Sequence, residues 1–280
     1  MTQVNDYQNW IGKQQNQSDI ADINKVKALA ATLNADLNIK QGDQLPPLWH
    51  WILFNSANKS FELGQDGHAL KGQFLPPISL PRRMWAGGRF EFIEPINVGD
   101  RLSRQSTISD INIKQGKTGQ LAFVTVTHEI RGTQQGHWIE EHDIVYREAP
   151  KKSWRPPTAP CIDIEIGDWS AQIIPEPVVL FRYSALTFNG HRIHYDRDYC
   201  SEIEGYPGLV FHGPLTATLL IELIRKQLPK ITIKKFNYKA IRPLFDLSPF
   251  SIHGRVEGKR ILLWATDPFK QRAMEAEAYF

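Results

Sequence analysis

Apolar side chains recur at Ile20, Ile23, Val26, Leu29 and Leu33, a spacing of three to four that predicts one buried helix face. Leu45-Pro46-Pro47 ends that pattern. Residues 49–54 form an apolar, aromatic run that fits a strand or a short helix. Polar residues over 64–72 and the prolines Pro76, Pro77 and Pro81 mark turns. From there the period changes to two. Residues 89–96 place Phe90 and Phe92 on one face, Gly99-Asp100 makes a turn, and 102–113 alternate again. Gly116-Lys117-Thr118-Gly119 predicts a hairpin tip, with further strands over 121–130 and 138–146.

Residues 148–160 carry four prolines among basic side chains, which predicts a linker across the surface. Beyond it the order starts afresh, with a strand-like 178–183, an irregular stretch, a helix and more strands. The helix is the clearest element. Pro214 follows Gly213 where a first-turn proline belongs, Leu215, Leu219, Leu220, Leu223 and Ile224 make the apolar stripe, and Pro229 stops it. At ~1.5 Å per residue it is roughly 20 Å long. Phe90-Glu91-Phe92-Ile93-Glu94-Pro95-Ile96 matches Tyr238-Lys239-Ala240-Ile241-Arg242-Pro243-Leu244 in its apolar positions, Ile and Pro, 148 residues later. Both copies precede a run of strands, which points to a tandem duplication of a helix wrapped by an antiparallel sheet. The expected division is a first unit over 1–150, a connecting segment over 151–175 and a second unit over 176–280.

The chain has 280 residues, 41% hydrophobic and 22% charged, the makeup of a globular protein with two modest domains. Its net charge of +3 lacks the clustered basic face of a nucleic-acid binder. No apolar run reaches the ~18 residues of a membrane span, and the polar start of the chain does not read as a secretion signal. Cys161 and Cys200 form no disulfide framework. A reducing, cytoplasmic setting is therefore expected.

Polar side chains concentrate in Thr187-Phe188-Asn189-Gly190-His191-Arg192-Ile193-His194-Tyr195-Asp196, followed by His212-Gly213-Pro214 at the helix start. A strand would send Asn189 and His194 to opposite faces, since five is odd. A helix would separate them by about 140° at ~100° per residue. Asn189-Gly190 favours a turn, which can bring both onto one pocket.

The run Tyr183-Ser184-Ala185-Leu186-Thr187-Phe188-Asn189-Gly190-His191-Arg192-Ile193-His194 resembles the signature of the MaoC-like, R-specific type-2 enoyl-thioester hydratases and dehydratases, aromatic-x-x-Leu-Ser-Gly-Asp-x-Asn-Pro-x-His. Gly208-Leu209-Val210-Phe211-His212-Gly213-Pro214-Leu215-Thr216 is similar to the opening of that family's central helix. The resemblance covers 176–280 well, and the first half resembles a degenerate first copy through Leu80-Pro81-Arg82-Arg83-Met84-Trp85-Ala86-Gly87-Gly88. It implies an α+β double hot dog and a cofactor-free hydro-lyase acting on an acyl-CoA or acyl-carrier thioester. Asn189 stands where the family has Asp, His191 where it has Asn, and Arg192 where it has Pro; His194 is unchanged. A subgroup resembling fungal type-2 hydroxyacyl-thioester dehydratases and bacterial 3-methylfumaryl-CoA (mesaconyl-CoA) hydratases has a similar Phe-Asn-x-His-x-Ile-His-Tyr-Asp run.

Hydrating a 2-enoyl thioester requires a proton taken from water, one returned to C2, and a hold on the enolate oxygen. Neutral imidazole, with a pKa near ~6.5, suits the first task, so His194 is the expected acid–base group. The Asn189 amide does not titrate but can orient water. Asp196 is a candidate either to orient an imidazole or to supply a carboxylate. The Gly213 N–H, at a helix N-terminus, suits the enolate oxygen. His191, Arg192, Tyr183, His212 and Arg83 are expected around the substrate, although each histidine can also be a structural brace and Tyr183 a core residue. His191, His194 and His212 lack the spacing of known metal sites, so no metal is expected. Lys234, Lys235, Arg225 and Lys226 can meet CoA phosphates or simply face solvent. For a second substrate carboxylate, Arg82, Arg83, Arg192 and Arg242 are the options. A short branched or dicarboxylic acyl-CoA is the favoured substrate, with a 3-hydroxyacyl-carrier dehydratase of fatty-acid synthesis as the near alternative. A non-catalytic acyl-CoA-binding protein is the alternative from another class. Edge-to-edge sheet pairing leads to the expectation of a homodimer.

Overall fold

Among the described residues, ten antiparallel strands join into one sheet. They are β1 (Gln14–Ile20), β2 (Arg82–Glu94), β3 (Arg101–Gly116), β4 (Gly119–Gly132), β5 (His137–Arg147), β6 (Trp169–Ile173), β7 (Lys235–Ala240), β8 (Phe250–Glu257), β9 (Arg260–Thr266) and β10 (Arg272–Tyr279). The order across the sheet is β1-β3-β4-β5-β2-β7-β10-β9-β8-β6. This computed structural model describes residues 7–116, 119–149 and 167–280. The expected hairpin tip at Lys117-Thr118, Cys161 and most of the expected linker lie outside the described residues.

Read inward from each edge, the first half runs β1-β3-β4-β5-β2 and the second β6-β8-β9-β10-β7, the same order twice. The halves meet where β2 pairs with β7, and Arg89 lies opposite Asn237. Those two residues are 148 apart. The spacing of the sequence repeat is thus the spacing of a residue from its own equivalent across a local two-fold axis.

Helix α3 (Gly213–Gln227) lies on the second half of the sheet against β6, β8, β9 and β10. Leu215, Leu220, Ile221, Leu223 and Ile224 are buried there, each contributing about 1.5–3 kcal/mol of transfer free energy. The first half has a reduced filling. Its helix α1 (Ile23–Thr32) packs against α2 (Pro177–Thr187) and a single 3₁₀ turn, Trp49–Ile52. Trp49 in that turn is fully buried and its Nε1 donates to Glu222 of α3 at 2.9 Å. The arrangement is a double hot dog of class α+β with an asymmetric filling.

Three local expectations change. Residues 178–183 are helical, not strand, because Pro177 sets a helical first turn and Leu180, Tyr183 and Ser184 fall on one buried face. The β-branched pair Val178-Val179 yields to that packing. Ile20 ends strand β1 and does not open α1, which starts beyond Asp22, the cap that accepts from the N–H groups of Asn24 and Lys25. Trp169–Ile173, inside the segment expected to connect the halves, is edge strand β6 paired with β8.

Candidate functional site

Helix α2 ends at Phe188, whose backbone is left-handed with φ 50°. The Asn189 N–H then donates to Ser184 O at 2.8 Å, and Asn189 Oδ1 accepts from the His191 N–H at 3.0 Å. This side-chain turn folds the chain back on itself, as Asn-Gly sequences do. A 3₁₀ turn over Arg192–His194 follows and delivers the His194 ring to the start of α3.

His194 is buried, with Nδ1 2.7 Å from the Val210 carbonyl. A carbonyl only accepts, so Nδ1 carries the proton and Nε2 keeps its lone pair. Burial lowers the His194 pKa to about 4, against the opposing pull of the Val210 hydrogen bond. Its ring stacks on His212 at 3.6 Å between centroids, and His191 meets it edge-on at 5.5 Å. His212 is the residue before α3 and bonds Ser184 Oγ through Nε2 at 2.9 Å. Tyr183 packs edge-on against His212 at 5.0 Å. The three histidines and Tyr183 therefore form one buried cluster at the amino end of α3. Asn189 reaches it through the bond to His191.

Gly213 opens α3 and its N–H has no acceptor among the described residues. A Cβ built on Gly213 meets nothing within 4 Å. A free helix N-terminal donor therefore borders open space beside the imidazoles, where the helix dipole favours negative charge.

A second segment joins the site, one whose sequence reads only as a polar turn. His68 Nδ1 is 2.9 Å from Asp66 Oδ2, and the His68 ring lies 4.1 Å from that of His191. Asp66 O accepts from the Arg192 N–H at 2.9 Å and Gln65 O from the Arg192 guanidinium at 3.2 Å. Gly67, with φ +84°, sits so close that a Cβ would lie 1.9 Å from Gly190 O. The first half of the chain thus caps the Asn189 turn. Pairing with His68 holds the Asp66 carboxyl low despite burial, and burial pushes both His68 and His191 down. Asp66, His68 and His191 each place one potential ligand atom within 4.8 Å of the others, a spacing able to hold a metal ion. Only the Asp66-Gly67-His68 turn residues hinted at this loop, and nothing local linked it to a site over a hundred residues away.

Asp196 lies elsewhere. Its Oδ2 takes the Arg192 guanidinium at 2.7 and 2.9 Å and its Oδ1 caps the Tyr199 N–H at 2.9 Å. It orients no imidazole among the described residues; the Val210 carbonyl does that for His194. Arg192 is correspondingly committed to Asp196 and lies over the Tyr199 ring at 4.3 Å. Arg82 pairs with Glu204 at 2.6 Å, and Arg242 lies 3.8 Å from Asp267. Of the basic residues considered for phosphates, Arg225 pairs with Glu222 and Lys235 with Glu91.

Residues 48–246 match the family model described as hydroxyacyl-thioester dehydratase type 2. Over 274 residues, 97% of this chain and 96% of the relative, the sequence is 43% identical to the mesaconyl-C(4)-CoA hydratase of Chloroflexus aurantiacus. It is 27% identical over 257 residues, 81% of this chain and 85% of the relative, to the mitochondrial hydroxyacyl-thioester dehydratase type 2 of Schizosaccharomyces pombe. Among solved structures, a MaoC-like dehydratase from Phytophthora capsici superposes with a TM-score of 0.69 over 100% of this chain and 99% of that one, at 14% identity. That last likeness is one of fold.

Proposed function

The chain belongs to the hydroxyacyl-thioester dehydratase type 2 family, and from that premise we propose that it adds water reversibly across C2–C3 of a 2-enoyl-CoA thioester. The favoured substrate is a short branched or dicarboxylic acyl-CoA such as 3-methylfumaryl-CoA, in keeping with the activity named for the Chloroflexus relative. His194 Nε2 takes a proton from water as the oxygen attacks C3. The resulting enolate oxygen rests on the Gly213 N–H, and the imidazolium returns a proton to C2. Protons balance with one titrating group, so an untitratable Asn189 suffices to hold the water. Asp66 and His68 buttress His191, while Arg192 and Asp196 brace the turn. His191, His212 and Tyr183 wall the acyl site, and Arg83 lies on its substrate side.

The observation that carries this reading is the His194 ring. Its Nδ1 proton is tied to Val210 O at 2.7 Å, leaving a neutral acceptor nitrogen beside a free helix N-terminus. The test follows enoyl-thioester absorbance with crotonyl-, long-chain 2-enoyl- and 3-methylfumaryl-CoA. Wild type turns over at least one of them, and His194→Ala loses about 10²–10⁴-fold in kcat while still binding the thioester. A wild type that binds thioesters without turnover instead identifies a non-catalytic acyl-CoA-binding protein. The likeness to the fission-yeast dehydratase supports a second reading, dehydration of a 3-hydroxyacyl thioester on CoA or a carrier protein.

The reading includes no metal, since Asp66 and His68 satisfy one another. Activity is expected to survive dialysis against EDTA; loss restored by a divalent ion would reassign that cluster. A first unit over 1–150, a second that takes in β6 and so begins by Trp169, and a cytoplasmic setting complete the proposal. It also includes a homodimer, with β1 and β6 as the available edges because β2 and β7 pair within the chain. Sedimentation at equilibrium tests the last point.

A further inference from the structure

We infer that Arg83 and Tyr146 form a subsite for a second carboxylate on the acyl group, making the enzyme selective for dicarboxylic thioesters; this rests on the hydratase reading above. The two residues face each other across β2 and β5, Arg83 opposite Tyr146. Directly opposed residues of an antiparallel pair project to the same side, and on β5 that is the inner face, with Trp138, Glu140, His142, Ile144 and Tyr146 turned inward.

Of the four arginines able to clamp a carboxylate, three are committed: Arg82 to Glu204, Arg192 to Asp196 and Arg242 to Asp267 and Gln271. Arg83 alone makes no ion pair among the described residues. The Tyr146 side chain is fully buried, and among the described residues its hydroxyl makes no hydrogen bond of good geometry, although the Arg83 guanidinium is near enough to draw its pKa down against burial. A buried hydroxyl left unmatched is unfavourable, and a ligand oxygen would satisfy it. The positive charge is local. Lys71 lies over the Tyr146 ring at 5.6 Å, its ammonium held by the carbonyls of Ile78 and Leu80. The nearby carboxylate, Asp66, is taken by His68. The Arg83 charge reaches His68 and His191, so the subsite adjoins the imidazole cluster. A planar guanidinium and a phenol hydroxyl together present the forked donor set that a carboxylate accepts.

The experiment compares wild type, Arg83→Gln and Tyr146→Phe with paired ligands. Succinyl-CoA and butyryl-CoA, matched apart from the terminal carboxylate, are measured by calorimetry, and 3-methylfumaryl- and crotonyl-CoA by turnover. Wild type is expected to bind succinyl-CoA more tightly than butyryl-CoA. Arg83→Gln is expected to weaken succinyl-CoA by about 100-fold and Tyr146→Phe by about 10-fold, the range for hydrogen bonds to a charged ligand. Butyryl-CoA affinity and any crotonyl-CoA turnover are expected to change by a clearly smaller factor, so the ratio between the paired ligands is the quantity read. Equal affinity of wild type for the two ligands overturns the subsite, as does a parallel loss of both in Arg83→Gln with an unchanged melting temperature. If Arg83→Gln melts early, Tyr146→Phe and the wild-type ligand ratio decide. Failure of the hydratase reading shows separately, as a wild type that turns over no enoyl thioester.

Discussion

His194 and His212 stack at 3.6 Å, yet only His194 has its ring oriented by a carbonyl. Burial lowers His194 to about 4, and burial together with the neighbouring His194 and His191 imidazoles pushes His212 well below its usual range. A base neutral down to pH 4–5 predicts a hydration rate whose acid limb falls with an apparent pKa near 4, where an unperturbed histidine would place it near 6.5. Stopped assays between pH 4 and 8, with protein integrity checked at each pH, measure this. Gly213 makes a companion prediction. Because a Cβ there meets nothing within 4 Å, Gly213→Ala should leave the melting temperature unchanged. It should still cost about 10²-fold in kcat/KM, since the added methyl keeps the thioester oxygen off the N–H. Equal activity of the two proteins removes Gly213 from the mechanism. Asn189→Asp asks whether the amide's donor is needed: retained activity fits a water-aligning acceptor, and abolition an essential N–H.

The loop over 64–68 and the turn over 189–192 are two irregular segments that hold one another. Neither has a regular backbone ladder, and their contacts include the Asp66–Arg192 and Gln65–Arg192 bonds, the Gly67–Gly190 approach and the His68–His191 ring contact. Gly67 combines φ +84° with a Cβ position 1.9 Å from Gly190 O, so alanine is excluded both by backbone conformation and by space. Gly67→Ala should lift this loop from the turn. Expected results are at least a ten-fold loss of kcat and faster amide exchange over 64–68 and 189–194, with the α3 core still protected. A uniform loss of protection instead means the loop supports the whole fold. Helix α3 behaves differently. Leu220→Ala, at a fully buried position, should cost about 2–5 kcal/mol of global stability, read from the urea midpoint.

Buried histidines make the whole molecule sensitive to acid. Burial lowers His128 to about 3 and His142 and His194 to about 4, against 6.5 in an unfolded chain. Between those limits the unfolded state binds more protons than the native one, so stability rises with pH. It is fully present above about pH 6.5 and is lost as pH falls toward 4, by up to ~1.4 kcal/mol per histidine per pH unit. Glu140, held low by its 2.9 Å bond to His50, works in the same direction at the acid end. The melting temperature should therefore drop steeply between pH 7 and pH 5. A flat profile there means these side chains are solvated or already charged in the native protein.

Periodicity alone fixed a large share of this protein. The alternation over 102–113, 121–130 and 138–146 became β3, β4 and β5, and the Leu215–Ile224 stripe became α3, because period two and period 3.6 each leave one buried face. The 148-residue offset carried the two-fold relation of β2 to β7, and Asn189-Gly190 carried the bend that Asn189 closes by accepting from the His191 N–H. Folding in three dimensions decided what local pattern cannot encode. Packing of α2 on α1 overrode the β-branched pair Val178-Val179. Competition among acids left Arg83 without an ion pair among the described residues, while Arg82, Arg192 and Arg242 found carboxylates. Asp66 and His68 joined the site from the other half of the chain, since a contact between segments about 120 residues apart depends on how the two halves of the sheet join and leaves no periodic trace.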